Sequence, residues 1–262
     1  MPLVPGRSPL RRLSRVEYDN TVRDLLGDKT QPALGFEPDV IAEGFTNNAD
    51  TQNVGTSLAQ QYLTAAEALA VNATKDLVGL MGCDATAAAA AGGGDACVRA
   101  FVTRFGQRAW RRPLVATEVD TLDAVYATAR ADFDVPTSMQ TVLEVMLTSP
   151  NFLYRVEHGV PAGGATIIPL TSWELASRLS YFLRGSMPDD ALFSAAAADE
   201  LKTSDQIAAQ ARRLLAATDG AVTDRIAQFF TEWLHLVNLA SLQKDKTAFP
   251  TFTPTLGAAM LL

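Results

Sequence analysis

At four places that read as helix starts a serine or threonine stands three residues before a glutamate or glutamine: Ser14–Glu17, Thr137–Gln140, Thr171–Glu174 and Thr203–Gln206. Such a pair can cap a helix reciprocally. The hydroxyl accepts an orphan N–H of the first turn, and the Glu or Gln side chain reaches back to the cap's own N–H. Apolar side chains of helical period follow. Val16, Val22, Leu25 and Leu26 lead to a stop at Gly27, and Leu58, Tyr62, Ala65, Ala66 and Leu69 keep one face. Val98, Phe101, Val102, Phe105 and Ala109 do the same up to Pro113, and Leu122, Val125 and Ala129 form a further stripe. Val142, Val145, Met146 and Leu147 lie in a segment apolar nearly all round, which predicts a central helix.

Beyond Ser149-Pro150, where serine caps and proline opens a new helix, the stripes continue. They are Leu175, Leu179, Phe182 and Leu183; Ile207, Ala211, Leu214 and Leu215; and Ile226, Phe229, Phe230, Trp233 and Leu234. Asp189 and Asp190 follow Pro188, where the helix macrodipole favours negative charge, so capping explains this acidic pair without catalysis. Only Thr166–Leu170 reads as a short strand. The fold class is therefore all-α: a multi-helix array of two packed subdomains, 1–158 and 159–262, meeting at the seam VPAGGA. One long ordered loop, 28–56, interrupts the first. It is rich in Gly, Pro and polar side chains without period, and such loops are commonly functional or held down by their own contacts.

With 22 Lys and Arg against 29 Asp and Glu, the net charge is −7. That excludes a general nucleic-acid binder, which needs a basic surface to neutralise phosphates. Arg7, Arg11, Arg12, Arg15 and Arg23 crowd the first helix and its approach, and we expect them to form a solvated basic face. No apolar run is long enough to span a membrane. The N-terminus lacks the apolar core of a signal peptide, and the final PTLGAAMLL stops on an apolar run, as in a chain cut from a longer protein. The two cysteines, Cys83 and Cys97, bracket a small-residue stretch and belong to no metal or haem motif. We expect a disulfide, which would stabilise by about 3 kcal/mol in the chain-entropy treatment and would imply an oxidising compartment.

The segments RLSRVEYDNTVRDLLG, EGFTNNAD, FGQRAWRRPL, LTSPNFLYRVE and WELASRLSYFLRGSMPDDALF occur in this order. In this the chain resembles multi-domain proteins abundant in planctomycetes and myxobacteria. They are built from consecutive domains of unknown function, families 1587, 1595 and 1592, and some are fused to c-type cytochrome domains. The resemblance runs from about Arg12 to the C-terminus. It implies an extracytoplasmic protein (periplasmic, outer-membrane-associated or extracellular) and a chain that ends before the family's C-terminal domains. It supplies no reaction. The chain departs from the pattern in lacking a haem-attachment motif, and in placing Arg184 where relatives often carry tryptophan.

Two sets of residues could carry chemistry. Glu43, Asn47, Asn48 and Asp50 in the long loop offer oxygen ligands, and calcium is the cation they would suit, although their spacing is not that of an EF-hand. Local turn bonds to their own backbone are the competing use. Arg104, Arg108 and Arg112 at four-residue spacing, with Arg111 beside them, predict a helix stripe that clamps an anion or locks helices by pairing with acids. His158 and His235 are too isolated to suggest a metal site, and the motifs assign no cofactor. The leading expectation is a non-catalytic scaffold or interaction module of an extracytoplasmic assembly, with a c-type cytochrome or another extracytoplasmic protein as partner. The alternative is an enzyme acting on extracellular polymers or glycans through loop carboxylates such as Glu43 and Asp50. Phe36 and Phe45 should pin the loop to the helices.

Overall fold

The computed structural model describes residues 9–90, 94–160, 167–236 and 243–259. They are predominantly helical. In chain order the helices are α1 (Arg15–Leu26), α2 (Thr56–Ala73), α3 (Leu77–Met81), α4 (Ala85–Ala90), α5 (Gly94–Ala109), α6 (Ala116–Arg130), α7 (Val135–Thr148), α8 (Pro150–Leu153), α9 (Ser172–Arg184), α10 (Asp190–Ala197), α11 (Ser204–Leu215), α12 (Ala221–Trp233) and α13 (Pro254–Ala259).

Three of the four cap signatures work as read. Ser14, Thr171 and Thr203 each accept the N–H of the third helical residue while Glu17, Glu174 and Gln206 bond back. Thr137 does not. Asp134 caps α7 instead, accepting the Thr137 N–H at 2.9 Å, and Pro136 occupies the first turn. The aspartate comes first and takes the donor, so Thr137 lies inside the helix. Gln140 is left to reach across to Thr74 Oγ1 at 2.9 Å. Ser149 caps the short α8, accepting from Asn151 N–H.

Helix α7 packs on α2 and α6 and also touches α5 and α8. The stripes on α2 and α5 are buried as expected. Tyr18 of α1, Phe36 of the long loop, Tyr62 of α2 and Phe152 of α8 pack ring against ring, with centroids 5.0–5.8 Å apart. Helix α1 turns Tyr18 and Val22 inward and leaves Val16 exposed. A smaller cluster of Ala176, Leu192, Ala195, Ala196, Leu201 and Leu214 forms between α9, α10 and α11. The larger cluster also takes in Tyr181, Met187 and Phe193, so the C-terminal helices share the main core.

Helix α9 does not bury its leucine stripe. Its inner face is Ala176, Ser177, Ser180 and Tyr181, and Phe182 is exposed. The small side chains let α9 approach the main core closely enough for Tyr181 Oη to meet Thr21 Oγ1 at 2.8 Å. The leucines pack only partly against the small cluster.

The strand expected at Thr166–Leu170 is absent from residues 167–170, and Thr166 lies outside the described residues. Pro169 has no N–H to give a ladder; its carbonyl accepts from Val160 at 2.8 Å. The strands are instead β1 (Arg11–Arg12) and β2 (Tyr154–Arg155), paired antiparallel with Arg11 opposite Arg155. This overturns the solvated basic face. Arg12 is buried, donating to Tyr62 Oη at 2.6 Å and Asp39 Oδ1 at 2.8 Å. Arg15 is half-buried and donates to the carbonyls of Ala33 and Leu34, each at 2.6 Å. Arg23 alone of the described four is exposed, and Arg7 lies outside the described residues.

Candidate functional site: the long loop and the aromatic face of α12

The loop is held from its first half. Asp39 takes Arg12 and the Arg15 N–H, and Phe36 is buried between Tyr18 and Tyr62. The chain then reverses at Glu43-Gly44. Ala42 and Phe45 exchange two backbone hydrogen bonds of 3.0 Å across the turn, and both central residues take positive φ, 53° and 89°. That is the twist of a two-residue hairpin turn. Gly44 is required twice over, because a Cβ there would also come within 3.0 Å of the His235 ring.

The turn seats the loop on α12. Thr46 Oγ1 donates to Glu232 Oε1 at 2.7 Å, and Gln228 Nε2 donates to the same oxygen at 3.0 Å. The buried Gln52 donates to Thr46 O at 3.1 Å. The Phe45 ring stacks on Phe229 at 5.8 Å. Phe36 and Phe45 thus pin the two halves to different helices.

The four oxygen-bearing loop residues do not act alike. Asn48 Oδ1 accepts the Asp50 N–H at 3.0 Å, an Asx turn that caps one 3₁₀ turn. Asn47 lines a cleft with Arg11 and Arg155. Glu43 stands exposed at the turn tip, and the Asp50 side chain is also exposed. Among the described residues no three His, Cys, Asp or Glu side chains gather in a metal-holding group.

The arginine stripe is broken. Helix α5 ends at Ala109 and Arg111 takes a left-handed φ of 58°, so only Arg104 and Arg108 share the helix. Arg104 donates to the carbonyls of Leu80 and Met81 at the end of α3, and Arg108 pairs with Asp190 over the Phe193 ring. The buried Arg111 donates to the carbonyls of Asn151, Phe152 and Tyr154 at 2.7, 2.9 and 2.8 Å. Arg112 pairs with Glu118 through two bonds of 2.7 and 2.9 Å. Asp189 caps α10 and takes Arg213, and Asp190 faces Arg108, so the adjacent acids point to different partners.

Cys83 and Cys97 form a disulfide with Cα atoms 6.3 Å apart. At the seam, burial works against ionisation of Glu174. The N–H groups of Thr171, Gly159 and His158 and the Thr171 hydroxyl outweigh it and hold the carboxyl below the usual range. His158 engages Glu174 through its backbone N–H. Arg184 pairs with Asp219.

The apolar face of α12 is the unexpected surface. Ile226, Phe229, Phe230, Trp233 and Leu234 form the predicted stripe, yet each is about half exposed, Phe230 at 45% and Trp233 at 55%. Only Val222 and Glu232 of this helix are buried. The rings touch one another instead, Phe229 with Phe230 at 5.4 Å and with Trp233 at 5.9 Å, and Phe230 with Trp233 at 6.0 Å. The helix turns its polar Glu232 and Gln228 to the loop, so the aromatic side faces outward.

Three family models match the chain in succession. They are PSD3, protein of unknown function (DUF1587), over residues 11–75; PSD5, protein of unknown function (DUF1595), over 97–157; and PSD4, protein of unknown function (DUF1592), over 170–262. The three domain families thus match the chain in series. Comparison with curated proteins and with solved structures returns no match. In family terms, the strand pair joins DUF1587 to DUF1595, and the loop seated on α12 joins DUF1587 to DUF1592.

Sequence reasoning located the loop and the disulfide but missed Arg155, Arg178 and Glu232. Arg155 carried one signal: an arginine among apolar neighbours in FLYRV, where a charge is unusual unless buried with purpose.

Proposed function

We propose that the chain is a non-catalytic interaction module of an extracytoplasmic assembly, and that the outward face of α12 is its docking surface. The carrying observation is the run of contacting, half-exposed aromatic rings from Phe45 through Phe229 and Phe230 to Trp233. Contiguous exposed apolar patches of this kind mark protein contacts, and Trp and Phe are the side chains that interfaces bury most profitably. The loop borders this face, with Thr46 bonded to Glu232 and the Phe45 ring stacked on Phe229. The disulfide supports an oxidising compartment. No helix among the described residues is long and apolar enough to cross a membrane. The partner we propose is an extracytoplasmic protein, a c-type cytochrome being the candidate from the family's fusions. The chain's two parts, 1–158 and 159–262, would act as one body through the core they share.

A photo-crosslinking residue in place of Phe230, in cells making the protein, tests this. One discrete adduct is expected from position 230, the same adduct from position 233, and none from the exposed Lys202. Equal labelling from all three positions, or none from 230 and 233, overturns the reading.

A further inference from the structure

The strand pair places Arg11 directly opposite Arg155. Like charges at such a position repel, and a sheet tolerates them only when something compensates. For Arg11 the compensation is thin. Its Nη2 lies 3.7 Å from Glu17 Oε1, and that carboxylate also serves Arg225 at 3.3 Å and the Ser14 N–H at 3.1 Å. For Arg155 it is thinner. The residue is 8% exposed, and among the described residues no carboxylate lies within ion-pair distance of it. Its guanidinium sits 5.3 Å from the centre of the Tyr181 ring, which Arg111 also approaches, at 5.7 Å. The Nε and Nη2 of Arg11 and the Nε of Arg155 are buried and make no hydrogen bond. A buried charged donor left this way is costly.

Both side chains line one cleft of about 630 Å³. Arg178 joins them, tied to Glu157, and Asn47 of the long loop adds an amide. Among the described residues at and beside the cleft, Arg11, Arg155, Arg178 and Arg225 meet the carboxylates of Glu17 and Glu157, four cations to two anions. Burial lowers the Arg11 pKa; Glu17 and Glu157 act against this, while Arg155 and Arg225 add to it. The lining also includes the apolar side chains of Leu175, Leu179, Phe182 and Ile207. The volume is that of a small-molecule site. The cleft is also where the three matched segments meet. Arg11 and Asn47 come from the DUF1587 segment, Arg155 and Glu157 from DUF1595, and those apolar side chains with Arg178 from DUF1592.

From this we infer that the cleft binds the oxyanion head of an amphipathic molecule, a carboxylate, sulfate or phosphate on an apolar body. The head sits between Arg11 and Arg155 with Arg178 at the rim, and the tail lies on the leucines and Phe182. Guanidinium groups pair bidentately with such heads, and a planar fork suits all three chemistries. The site exists only when the three segments are assembled, so a bound ligand ties them together. This inference stands independently of the docking face on α12.

Titration calorimetry on the oxidised, folded protein tests it with octanoate, octyl sulfate and octyl phosphate as probes. Octanol and inorganic phosphate are the controls. At least one octyl anion should bind roughly tenfold or more tightly than either control, the discrimination expected of charge-assisted bonds plus tail burial. The preferred anion identifies the head group. Arg155→Gln and Arg178→Gln should each weaken that binding about tenfold. Phe182→Ala should weaken the octyl anion and leave inorganic phosphate unchanged. Arg178 and Phe182 are partly solvated, so their variants will fold even if Arg155→Gln does not. Octanol binding as tightly as the anions, no anion binding to folded wild-type protein, or binding unchanged by Arg178→Gln and Phe182→Ala overturns the inference.

Discussion

Helices α7 and α12 are both rich in apolar side chains and sit in opposite environments. Each carries an apolar stripe of helical period. Helix α7 buries Val135, Met139, Val142, Leu143, Met146 and Leu147 between α2 and α6, whereas α12 buries Val222 and Glu232 and leaves its aromatic rings half in solvent. The difference lies in what covers each face. Helix α7 is flanked by long helices on two sides. Helix α12 packs on α9 and is held by the polar turn at Glu43–Thr46 through Glu232. An apolar stripe therefore says which side of a helix avoids water, but not whether its own chain supplies the cover. The contrast separates residues that stabilise the fold from residues available to a partner.

The largest effect should come from the covered side. Phe152 is fully buried against Tyr18, and Phe152→Ala should lower unfolding free energy by about 3–5 kcal/mol in denaturant titration, the usual range for a buried Phe truncated to Ala. A loss under 1 kcal/mol would mean that the aromatic cluster is not the core it looks like.

The disulfide sharpens the comparison next. It closes a short loop on the side of the main core, and replacing Cys83 and Cys97 together by serine should cost about 3 kcal/mol on the chain-entropy treatment. Equal melting of oxidised and reduced protein would remove that contribution.

Arg111 tests whether the same core tolerates an emptied polar position. Arg111→Ala strands the carbonyls of Asn151, Phe152 and Tyr154, and a loss of about 2–3 kcal/mol is expected. An unchanged midpoint would show those carbonyls finding other donors.

The smallest effect lies at the α9 cap, between the two regions. Hydrogen bonds depress the folded pKa of Glu174, so its contribution is fully present above the ordinary glutamate value of about 4.3. It is lost as pH falls through the lower folded value. Wild-type protein should therefore lose more melting temperature than Glu174→Gln between neutral pH and the acid side of that value. Parallel curves for the two proteins would contradict the assignment.

Much of the fold was legible because local rules and global packing agree there. The α2 stripe Leu58, Tyr62, Ala65, Ala66 and Leu69 is the buried face, and Ser14, Thr171 and Thr203 cap where their spacing says. The misreadings have physical causes. Asp134 outcompetes Thr137 because it stands first at the helix start. The basic approach to α1 reads as a surface until Arg12 finds Tyr62 and Asp39, and Arg11 finds Arg155, contacts that only the tertiary fold makes. The candidate sites divide likewise. The loop's importance was visible in its composition and its two phenylalanines. Its seat on Glu232 was not, because that carboxylate lies on a helix whose pattern speaks only of its other face.

The exposed face of α12 is tested most directly by thermal unfolding of Phe230→Ser/Trp233→Ser beside Phe152→Ala. Neither ring bonds the loop, and both lie about half in solvent. We predict that the double variant keeps the wild-type unfolding free energy to within about 1 kcal/mol, while Phe152→Ala melts far lower. A double variant destabilised as much as Phe152→Ala would place those rings in the core and contradict the docking surface.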